Sequence, residues 1–515
     1  DLPSALRPAL ITALADYLRA QRWYGGKAET LVSLEIPVAI PLETDAFKVF
    51  LLIVRVQFQS DRIEQYALPV MMDPAEGRIR RPTEAAQQAA LEPYGEVALT
   101  DALEDARFAG FLLDCIRREA SIEAGGVRLV ARSTPALARI IGASAGSLAP
   151  SVTRAEQSNT SVRFGSELML KFLRRPEEGV NLDVEMGLFL TERARFKHTP
   201  PIAGWMELQN ESSMTVAVLQ GFVENQGDAW KHTLEALDGF FARTADSSPP
   251  RPEEYEQGSR PAYAPEGEPP NEAKQWIGSY LSSATLLGQR TAELHCALCS
   301  DSSDPEFAPE TFTLEARQSA AREMEHLAAR AFSLLAKRLE ILPASFRSDA
   351  AQVLSRQQEI VSHFHRLESI PGAAVRTRIH GDYHLGQTLF TGDDFFIIDF
   401  EGEPERPLAE RRAKRSPLCD VAGMLRSFHY AERTALRSYD PLWGKYWIFW
   451  VSGCFLQGYL RSAQDAAFVP GKITELYALL EIFLLEKAVY ELLYEIRNRP
   501  AWASIPLDGI LRILN

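Results

Sequence analysis

Residues 380–402 read HGDYHLGQTLFTGDDFFIIDFEG, an acidic stretch that four glycines and two apolar runs interrupt. A solvated acidic surface does not have this composition. Asp382 follows a glycine and is therefore predicted to lie in a tight turn, whereas Asp399 ends the apolar run FFII, which is typical of a buried strand. Gln387 lies between them. We interpret the stretch as a chemical site built on a loop and a strand end.

Two carboxylates with an amide between them suit phosphoryl transfer from a nucleotide. One acid accepts the hydroxyl proton of the acceptor, and the other acid, with a neutral oxygen ligand, holds Mg²⁺ on the phosphates. The spacing matches the catalytic and metal loops of kinases, with Gln387 where that template has Asn and Glu401 where it has Gly. We predict Asp382 as the catalytic base and Gln387, Asp399 and Glu401 as metal ligands. The alternative is an acidic hairpin closed by turn residues, which the buried strands and the spacing disfavour.

The other side chains of the stretch are expected to have supporting roles. His380 and His384 are predicted to brace the loop rather than to take part in the chemistry. Asp393 and Asp394, although they form the densest acidic pair, are predicted to be only the turn of a hairpin.

A kinase also requires a lysine on an N-terminal strand and a glutamate on the following helix. Lys171 lies inside the apolar run ELMLKFL, where an unpaired ammonium would be costly. Glu185 follows in NLDVEMGLFL, a predicted helix. Because both precede Asp382 in the expected order, we predict Lys171 and Glu185 as further catalytic residues, the lysine contacting phosphate and the glutamate positioning it.

The remaining nucleotide contacts are predicted from position alone. No G-x-G-x-x-G precedes Lys171, and AEQSNTSVRFG (155–165) stands in its place. Its Ser, Asn and Thr tolerate turns and offer donors to phosphate, although an ordinary hairpin turn is nearly as good an explanation. LQGFV (219–223) ends a strand where a kinase hinge presents backbone groups to adenine. The predicted cofactor-binding residues are Lys171, Ser158, Asn159, Thr160, Gln220, Phe222 and Val223.

Composition excludes several classes of protein. The 515 residues carry a formal net charge of −14, which disfavours binding to nucleic acid or to anionic membranes. The most apolar stretch (446–460) is too short to span a bilayer, and no signal peptide opens the chain, so a cytoplasmic location is expected. Cys296 and Cys299 form a C-x-x-C without a second pair, and we expect half-buried thiols rather than a zinc site.

Hydrophobic periodicity divides the chain into a mixed part and a helical part. The first block, to about residue 130, is predicted as a small α/β unit on a strand meander. Strands dominate from 150 to 225, and helices are predicted near 271–299, 313–341 and 347–368. The segment 245–270 is rich in Pro, Ser, Glu and Gly and is predicted to be an exposed loop.

Several segments resemble the maltokinase family. HGDYHLGQ and IIDFEGEP carry the resemblance within the opening stretch, and HGDxH alone would indicate only the wider aminoglycoside-phosphotransferase-like group. The other matching segments are RWYGGK near the start, ENQGDAW (224–230), KRSPLCDVAGMLRSF (414–428) and EKAVYELLYEIRNRPAW (486–502).

The resemblance implies an α+β, bilobal protein-kinase-like fold. Its expected domains are a small α/β N-terminal cap (1–130), a β-rich kinase N-lobe (131–224) and a predominantly helical C-lobe (225–515). It also implies an enzyme that uses ATP and Mg²⁺ to phosphorylate the anomeric hydroxyl of maltose, giving maltose 1-phosphate for α-glucan (glycogen) synthesis from trehalose. A fused or associated trehalose synthase is an expected partner, and the missing initiator Met would fit a piece of such a fusion.

Two alternatives stay open at this point. One is a related sugar or amino-sugar kinase of the glucosamine type, and the other is a non-catalytic kinase-like module. The sugar is expected to bind in the helical lobe beside Asp382. Along the last long helix, one face carries aromatic rings for stacking on pyranose faces and polar groups for hydroxyls. The predicted substrate residues there are Lys487, Tyr490, Glu491 and Tyr494, with Asn498 on the same face, although ordinary helix packing explains this face nearly as well.

Two further groups on the helical part are expected to have structural roles. Trp443, Trp447 and Trp450 form one helical stripe and are predicted to be core. The basic cluster Arg406, Arg411, Arg412, Lys414 and Arg415 is expected to be a solvated loop, with neutralisation of phosphate as the alternative.

Overall fold

The structure is a computed structural model. It describes residues 7–27, 29–44, 47–74, 87–91, 95–143, 148–153, 159–255, 267–370, 374–436 and 439–514. Among these residues, no helix is both long and apolar enough to cross a membrane. The chain divides into two compact units, one of residues 1–191 and 200–224 and one of residues 192–199 and 225–515.

The first unit is built on two antiparallel sheets. A five-stranded sheet has the order β1-β2-β3-β5-β4, and a seven-stranded sheet has the order β6-β7-β11-β12-β10-β9-β8. The strands are β1 (Leu31–Thr44), β2 (Phe47–Phe58), β3 (Ile63–Pro74), β4 (Gln87–Leu91), β5 (Gly95–Asp101), β6 (Ser121–Ala124), β7 (Val127–Ser133), β8 (Pro150–Thr153), β9 (Asn159–Phe164), β10 (Leu168–Leu173), β11 (Ile202–Gln209) and β12 (Ser213–Gly221). The helices are α1 (Arg7–Ala20), α2 (Ala106–Arg117), α3 (Pro135–Ala143) and α4 (Leu182–Leu188), with a 3-10 turn at Ala102–Glu104 and a π turn at Phe189–Arg193.

An interior strand of the first sheet, β2, shows why both faces of this sheet are covered. In β2, FKVFLLIVRVQF, nearly every side chain is buried, so both faces of the sheet are covered. One face packs against α1, and the other shares a core with strands of the second sheet. The predicted strand meander is confirmed by the antiparallel pairs β1–β2 and β2–β3. The predicted division at residue 130 falls inside β7 and stays a prediction.

The second unit is mainly helical. Its helices are α5 (Ala229–Thr244), α6 (Pro252–Tyr255), α7 (Asn271–Ile277), α8 (Tyr280–Leu298), α9 (Leu314–Arg338), α10 (Arg347–Ser355), α11 (Gln357–Ser369), α12 (Leu408–Arg412), α13 (Leu418–Ala435), α14 (Pro441–Ser462), α15 (Ile473–Asn498) and α16 (Ser504–Leu514). Four short strands form two antiparallel pairs, β13 (Glu310–Thr311) with β14 (Val375–Arg376) and the hairpin of β15 (Thr388–Phe390) with β16 (Phe395–Ile397). Short 3-10 turns lie at Ala344–Phe346, Leu385–Gln387 and Pro500–Trp502.

Two of the predicted long helices are interrupted. The helix predicted over 271–299 breaks at Gly278, which has a φ of +76° that a side-chain-bearing residue rarely adopts. The helix predicted over 347–368 breaks at Arg356, between α10 and α11. The tryptophan stripe of α14 is core, as predicted, since Trp443, Trp447 and Trp450 are all buried. Part of the predicted Pro-rich loop, 256–266, lies outside the described residues, and α6 occupies 252–255.

A buried carboxyl group lies between two core helices of this unit. Glu432 of α13 is 1% exposed, and neither carboxyl oxygen has a hydrogen-bond partner among the described residues. It lies against Gly444 of α14, where an added Cβ would meet Glu432 Oε1 at 1.8 Å. Burial raises the pKa of Glu432 to about 7, against smaller opposing effects of Arg512, Arg433 and Lys445.

Glu432→Gln is expected to weaken the pH dependence of stability. Because the pKa is raised in the folded state, the unfolded chain loses this proton first as the pH rises. The contribution of Glu432 to the free energy of unfolding is complete below its ordinary pKa of 4.5 and is lost as the pH rises through about 7. The loss is roughly 3 kcal/mol. Urea unfolding at pH 5 and pH 8 should show a smaller difference for Glu432→Gln than for wild type or for the exposed control Glu235→Gln. An unchanged difference would contradict this assignment.

Candidate active site

The β15–β16 hairpin brings two of the three predicted metal ligands together. Thr388 pairs with Ile397, so Gln387 and Asp399 flank the open end of the hairpin. The Ile398 N–H donates to the Gln387 carbonyl at 3.0 Å, and Gln387 Nε2 donates to Asp399 Oδ2 at 3.1 Å. Asp399 has a φ of +67°, a strained conformation for a residue with a side chain. The hairpin therefore holds an amide and a carboxylate side by side at the end of a strand.

The other end of the hairpin is a turn that binds a half-buried arginine. Thr391 N–H donates to the Asp394 carbonyl at 2.9 Å. The Asp394 carboxylate accepts from Arg290 Nε and Nη2 at 2.7 and 2.8 Å, whereas Asp393 is exposed. Both acids lie in the turn, as predicted, and one of them fixes the hairpin to α8.

The loop that carries Asp382 is fixed by a buried carboxylate on α13. Asp420 accepts from the backbone N–H of His380 at 2.8 Å and from that of Gly381 at 3.0 Å. His295 of α8 contacts the same carboxylate through Nε2 at 3.0 Å. Gly381 has a φ of +84°, which allows the chain to turn directly before Asp382. Although burial alone would raise the pKa of Asp420, its partners hold that pKa below the ordinary value.

The two histidines of the loop brace it. The Asp382 N–H donates to His380 Nδ1 at 3.4 Å, so Nε2 is the ring nitrogen that donates to the Ile398 carbonyl at 2.9 Å. His380 therefore links the loop to the end of β16. The His384 ring accepts from the Gly386 N–H at 3.0 Å and caps the 3-10 turn that leads to Gln387.

Asp382 is paired with a lysine of α15. Lys487 Nζ lies 3.4 Å from Asp382 Oδ1 and 2.6 Å from Glu403 Oε1. Burial alone would lower the pKa of Lys487, yet the carboxylates of Glu403 and Asp382 raise it above its ordinary value. Lys487 is therefore charged at neutral pH, and Asp382 has a fixed cation beside one of its oxygens.

The donor set beside the hairpin fits Mg²⁺ bound to a nucleotide. Among the described residues, no group of three or more His, Cys, Asp or Glu side chains is arranged to hold a metal ion. Mg²⁺ at kinase sites is bound by one or two protein ligands together with phosphate and water. Asp399 and Gln387 supply such a pair. Glu401 is half-buried two residues further on, and its ligand role stays a prediction.

Asp382 lies in the wall of a cavity of about 470 Å³. This volume is within the ~300–1,000 Å³ range of small-molecule pockets. Four of the predicted substrate residues, Lys487, Tyr490, Glu491 and Tyr494, also line it, whereas Asn498 donates its side-chain amide to the Tyr494 carbonyl at 3.0 Å. Further aromatic rings that sequence reasoning did not name line the cavity: Trp230, Tyr430 and Trp502.

Two further carboxylates that line this cavity are paired with cations of the protein. Glu491 Oε2 accepts from Arg426 Nε and Nη2 at 2.9 and 2.7 Å. Glu495 accepts from Arg499 Nε and Nη2 at 3.0 and 2.7 Å. The cavity therefore combines aromatic faces with charge-balanced polar groups, which suits a polyhydroxylated ligand.

The basic cluster after the metal loop is not a solvated loop, and that expectation was wrong. Its side chains form ion pairs with acids of other elements: Arg412 with Glu306 at 2.9 Å, Lys414 with Glu310 at 2.9 Å, and Arg415 with Glu486 at 2.6 Å. The expectation failed because these acids lie far from the cluster in the sequence, so that local composition did not reveal the ion pairs. The thiols of Cys296 and Cys299 are half-buried, as predicted.

In the first unit, Lys171 lies buried in β10. Its Nζ is 3.5 Å from Asp183 Oδ2, and Asp183 is itself buried on α4. Sequence reasoning named Glu185, which lies two residues further along the same helix and is half-buried. Asp183 is thus a carboxylate beside the lysine that the sequence did not identify, while the role of Glu185 stays a prediction.

The predicted phosphate-covering residues are only partly described. Ser158 lies outside the described residues, and Asn159 and Thr160 begin β9. The Thr160 hydroxyl accepts from Arg174 Nε at 2.8 Å. Arg174 is buried, forms an ion pair with Asp101 of β5, and lies over the Trp23 ring. Thr160 is therefore connected to the first sheet of the unit through Arg174.

The predicted hinge residues lie at the end of β12. Gln220 is buried within the sheet, and Phe222 and Val223 follow the strand and are half-buried. The Phe222 N–H donates to the Glu167 carbonyl at 2.8 Å, so this amide is already used within the unit. A backbone contact from Phe222 to adenine would have to use its carbonyl oxygen.

Comparisons with known proteins agree with the predicted fold. Residues 17–105 match the family model of the maltokinase N-terminal cap domain. A solved glucosamine kinase in complex with glucosamine, ADP and inorganic phosphate superposes with a TM-score of 0.61 at 17% identity, over 97% of this chain and 99% of that one. A second glucosamine kinase structure, crystal form B, gives a TM-score of 0.63 at 17% identity, over 96% and 97% of the two chains. At this identity the structures show the fold, and the predicted α+β kinase-like fold is confirmed.

Two curated relatives are glucosamine kinases. The protein from Streptacidiphilus jiangxiensis is 26% identical over 234 residues, 44% of this chain and 48% of the relative. That from Mycolicibacterium smegmatis (strain ATCC 700084 / mc(2)155) is 25% identical over 250 residues, 46% of this chain and 55% of the relative. The predicted resemblance to the maltokinase-like kinases is confirmed. The match spans about half the length of these relatives, which agree with the predicted enzyme class, a phosphotransferase with an alcohol-group acceptor.

Asp420→Asn is expected to loosen the loop that carries Asp382. The amide has one acceptor oxygen where the carboxylate has two, so one backbone N–H or His295 loses its partner. A buried hydrogen-bonding group left unsatisfied costs about 1–3 kcal/mol. Urea unfolding should therefore show a loss of that size, whereas the exposed control Asp246→Asn should stay within ~0.5 kcal/mol of wild type. Equal stability of the two variants would contradict the role of Asp420.

Proposed function

We propose that this chain is an ATP-dependent maltokinase, which transfers the γ-phosphate of ATP to the anomeric hydroxyl of maltose and releases maltose 1-phosphate and ADP. The supporting observation is that Asp382 lies in the wall of a cavity lined by aromatic and hydrogen-bonding side chains. A carboxylate at that position can accept the proton of a sugar hydroxyl. The proposal includes a cytoplasmic role in the conversion of trehalose to α-glucan, with a trehalose synthase as a fused or associated partner.

In the proposed mechanism, Asp382 accepts the proton of the anomeric hydroxyl as that oxygen attacks the γ-phosphorus in line. Gln387 and Asp399, with Glu401 as a further candidate, would hold Mg²⁺, which when bound neutralises charge on the phosphates. Lys171 would contact the phosphates, with Asp183 or Glu185 holding its ammonium. Asp382 retains the proton until it is released to solvent, and the bond from the γ-phosphorus to the β–γ bridging oxygen breaks to release ADP.

The charge balance of the cavity favours a neutral sugar. An amino sugar carries an ammonium, which would require a carboxylate whose charge the protein does not already balance. Glu491 is paired with Arg426, and Glu495 with Arg499. Asp228, which also lines the cavity, has the backbone N–H of Lys231 rather than a cation as its partner. The two ion pairs support maltose, while Asp228 and the glucosamine kinases among the relatives support the second candidate, a glucosamine-type kinase.

A coupled ADP-release assay with Mg²⁺–ATP and with maltose, glucose or glucosamine as acceptor tests which sugar is the substrate. We expect maltose to give the highest kcat/KM, because neutral hydroxyls match the paired polar groups of the cavity. A higher value with glucosamine would replace the first candidate by the second. No sugar-dependent release would contradict both and would support a non-catalytic module.

Asp382→Asn is expected to lower kcat by about 10²–10⁴-fold, because a general base contributes an effect of that size. The matched control is Asp393→Asn, which removes an exposed acid of the hairpin turn in the same sequence stretch. ATP binding, measured by calorimetry, should change little in either variant. A kcat for Asp382→Asn within a few-fold of the control would rule out Asp382 as the base.

A further inference from the structure

Behind Asp382 lies a chain of alternating charges, in which the carboxylates are buried and the cations are half-buried. Lys487 stands between Asp382 and Glu403, with Nζ–O distances of 3.4 and 2.6 Å. Glu403 also accepts from Arg406 through its second oxygen. The side chain of Glu403 is 5% exposed and that of Lys487 is 16% exposed, so this contact is nearly shielded from water.

The charge chain continues away from Asp382 through Glu486, which precedes Lys487 on α15, and through two arginines that flank α12. Arg406 Nη2 lies 3.4 Å from Glu486 Oε1, and Arg415 Nη2 donates to both oxygens of Glu486 at 2.6 and 2.7 Å. Each carboxylate in the chain therefore faces two cations. These close contacts between opposite charges are strong at low dielectric, so they fix the geometry of the charge chain.

This arrangement restricts what Lys487 can do. Its shorter contact is with Glu403, which does not line the cavity, and its longer contact is with the predicted base. Asp382 Oδ1 is the oxygen that faces Lys487, whereas Oδ2 lies 3.8 Å from His384 Nε2, and both Asp382 and His384 line the cavity. Lys487 thus engages one oxygen of the base and leaves the other for the acceptor hydroxyl.

We propose that Lys487 and Glu403 are positioning residues, in which Glu403 fixes the ammonium of Lys487 and Lys487 fixes the rotamer of Asp382 for attack. This inference rests on the proposed kinase function. It gives a role to Glu403, which was not among the residues predicted from the sequence. It also changes the predicted role of Lys487 from binding the sugar to orienting the base. Tyr490 is part of the arrangement, since Lys487 Nζ lies 4.9 Å from the centre of its ring.

The two roles of Lys487 predict different kinetics. A positioning residue affects the transition state, so Lys487→Met should lower kcat at least 10-fold and change the sugar KM less than 3-fold. Lys487→Arg keeps the charge and should recover part of kcat. A residue that mainly binds sugar would instead raise KM with kcat maintained. The control is Lys472→Met, which removes an exposed lysine just before α15 and should leave both constants unchanged.

A double-mutant cycle tests the link from Glu403 to Lys487. Glu403→Gln should lower kcat about 10-fold, because Lys487 loses its closest anion and its position between two carboxylates. The double variant Glu403→Gln/Lys487→Met should be no slower than Lys487→Met alone, since Glu403 acts through Lys487. Multiplicative losses, or losses in KM rather than kcat, would overturn the inference. An inactive wild-type chain would overturn the proposed function first and the positioning role with it, whereas an active wild type with unaffected variants would overturn the positioning role alone.

Thermal unfolding separates these effects from misfolding. Lys487→Arg keeps the positive charge, whereas Glu403→Gln keeps the shape of the side chain but has one acceptor oxygen where the carboxylate has two. Both variants are expected to unfold in a single cooperative transition, with Glu403→Gln melting below wild type because Lys487 or Arg406 loses a partner. If Lys487→Met fails to fold, the comparison of Lys487→Arg with Glu403→Gln decides the question. A decrease in kcat for Glu403→Gln that exceeds the decrease for Lys487→Arg supports the positioning role, and an unchanged kcat for Glu403→Gln contradicts it.

Discussion

The site depends on one buried carboxylate. Asp420 accepts two consecutive backbone N–H groups, those of His380 and Gly381, and is held in place by His295 from another helix. Because the backbone is held at these two residues, the position of the next residue, Asp382, is held as well. Because the turn also requires the positive φ of Gly381, the backbone has little freedom to place Asp382 elsewhere.

Beyond that fixed turn, several polar side chains around Asp382 and the hairpin are arranged in pairs. His380 connects the turn to the end of β16, the hairpin sets Gln387 beside Asp399, and Lys487 sets the orientation of Asp382. The pairing has a cost, since buried ions must be desolvated, and it is weak evidence for stability. Its effect is to hold charges in one geometry, which is what phosphoryl transfer requires of a protein.

Part of this arrangement could be predicted from the local spacing of residues in the sequence. The glycine before Asp382 and the apolar run before Asp399 are short-range signals, so the turn and the hairpin could be predicted. The carboxylate next to Lys171 could not, because Asp183 and Glu185 share one helix and only its packing on the sheet decides which of them approaches. Asp420 was missed for a different reason. It lies 40 residues from His380, and its only sequence signal was its place in a segment, 414–428, with family resemblance.

We propose above all that Asp382, beside its cavity, promotes phosphoryl transfer to the anomeric oxygen of a neutral disaccharide. Phosphorus NMR of the product formed from maltose and Mg²⁺–ATP tests it directly, because the phosphorus couples to the proton on the carbon that carries the phosphate. We predict a single sugar phosphate whose phosphorus couples to the anomeric proton of the reducing-end glucose. A product phosphorylated at any other carbon, or the formation of inorganic phosphate alone, would contradict the claim.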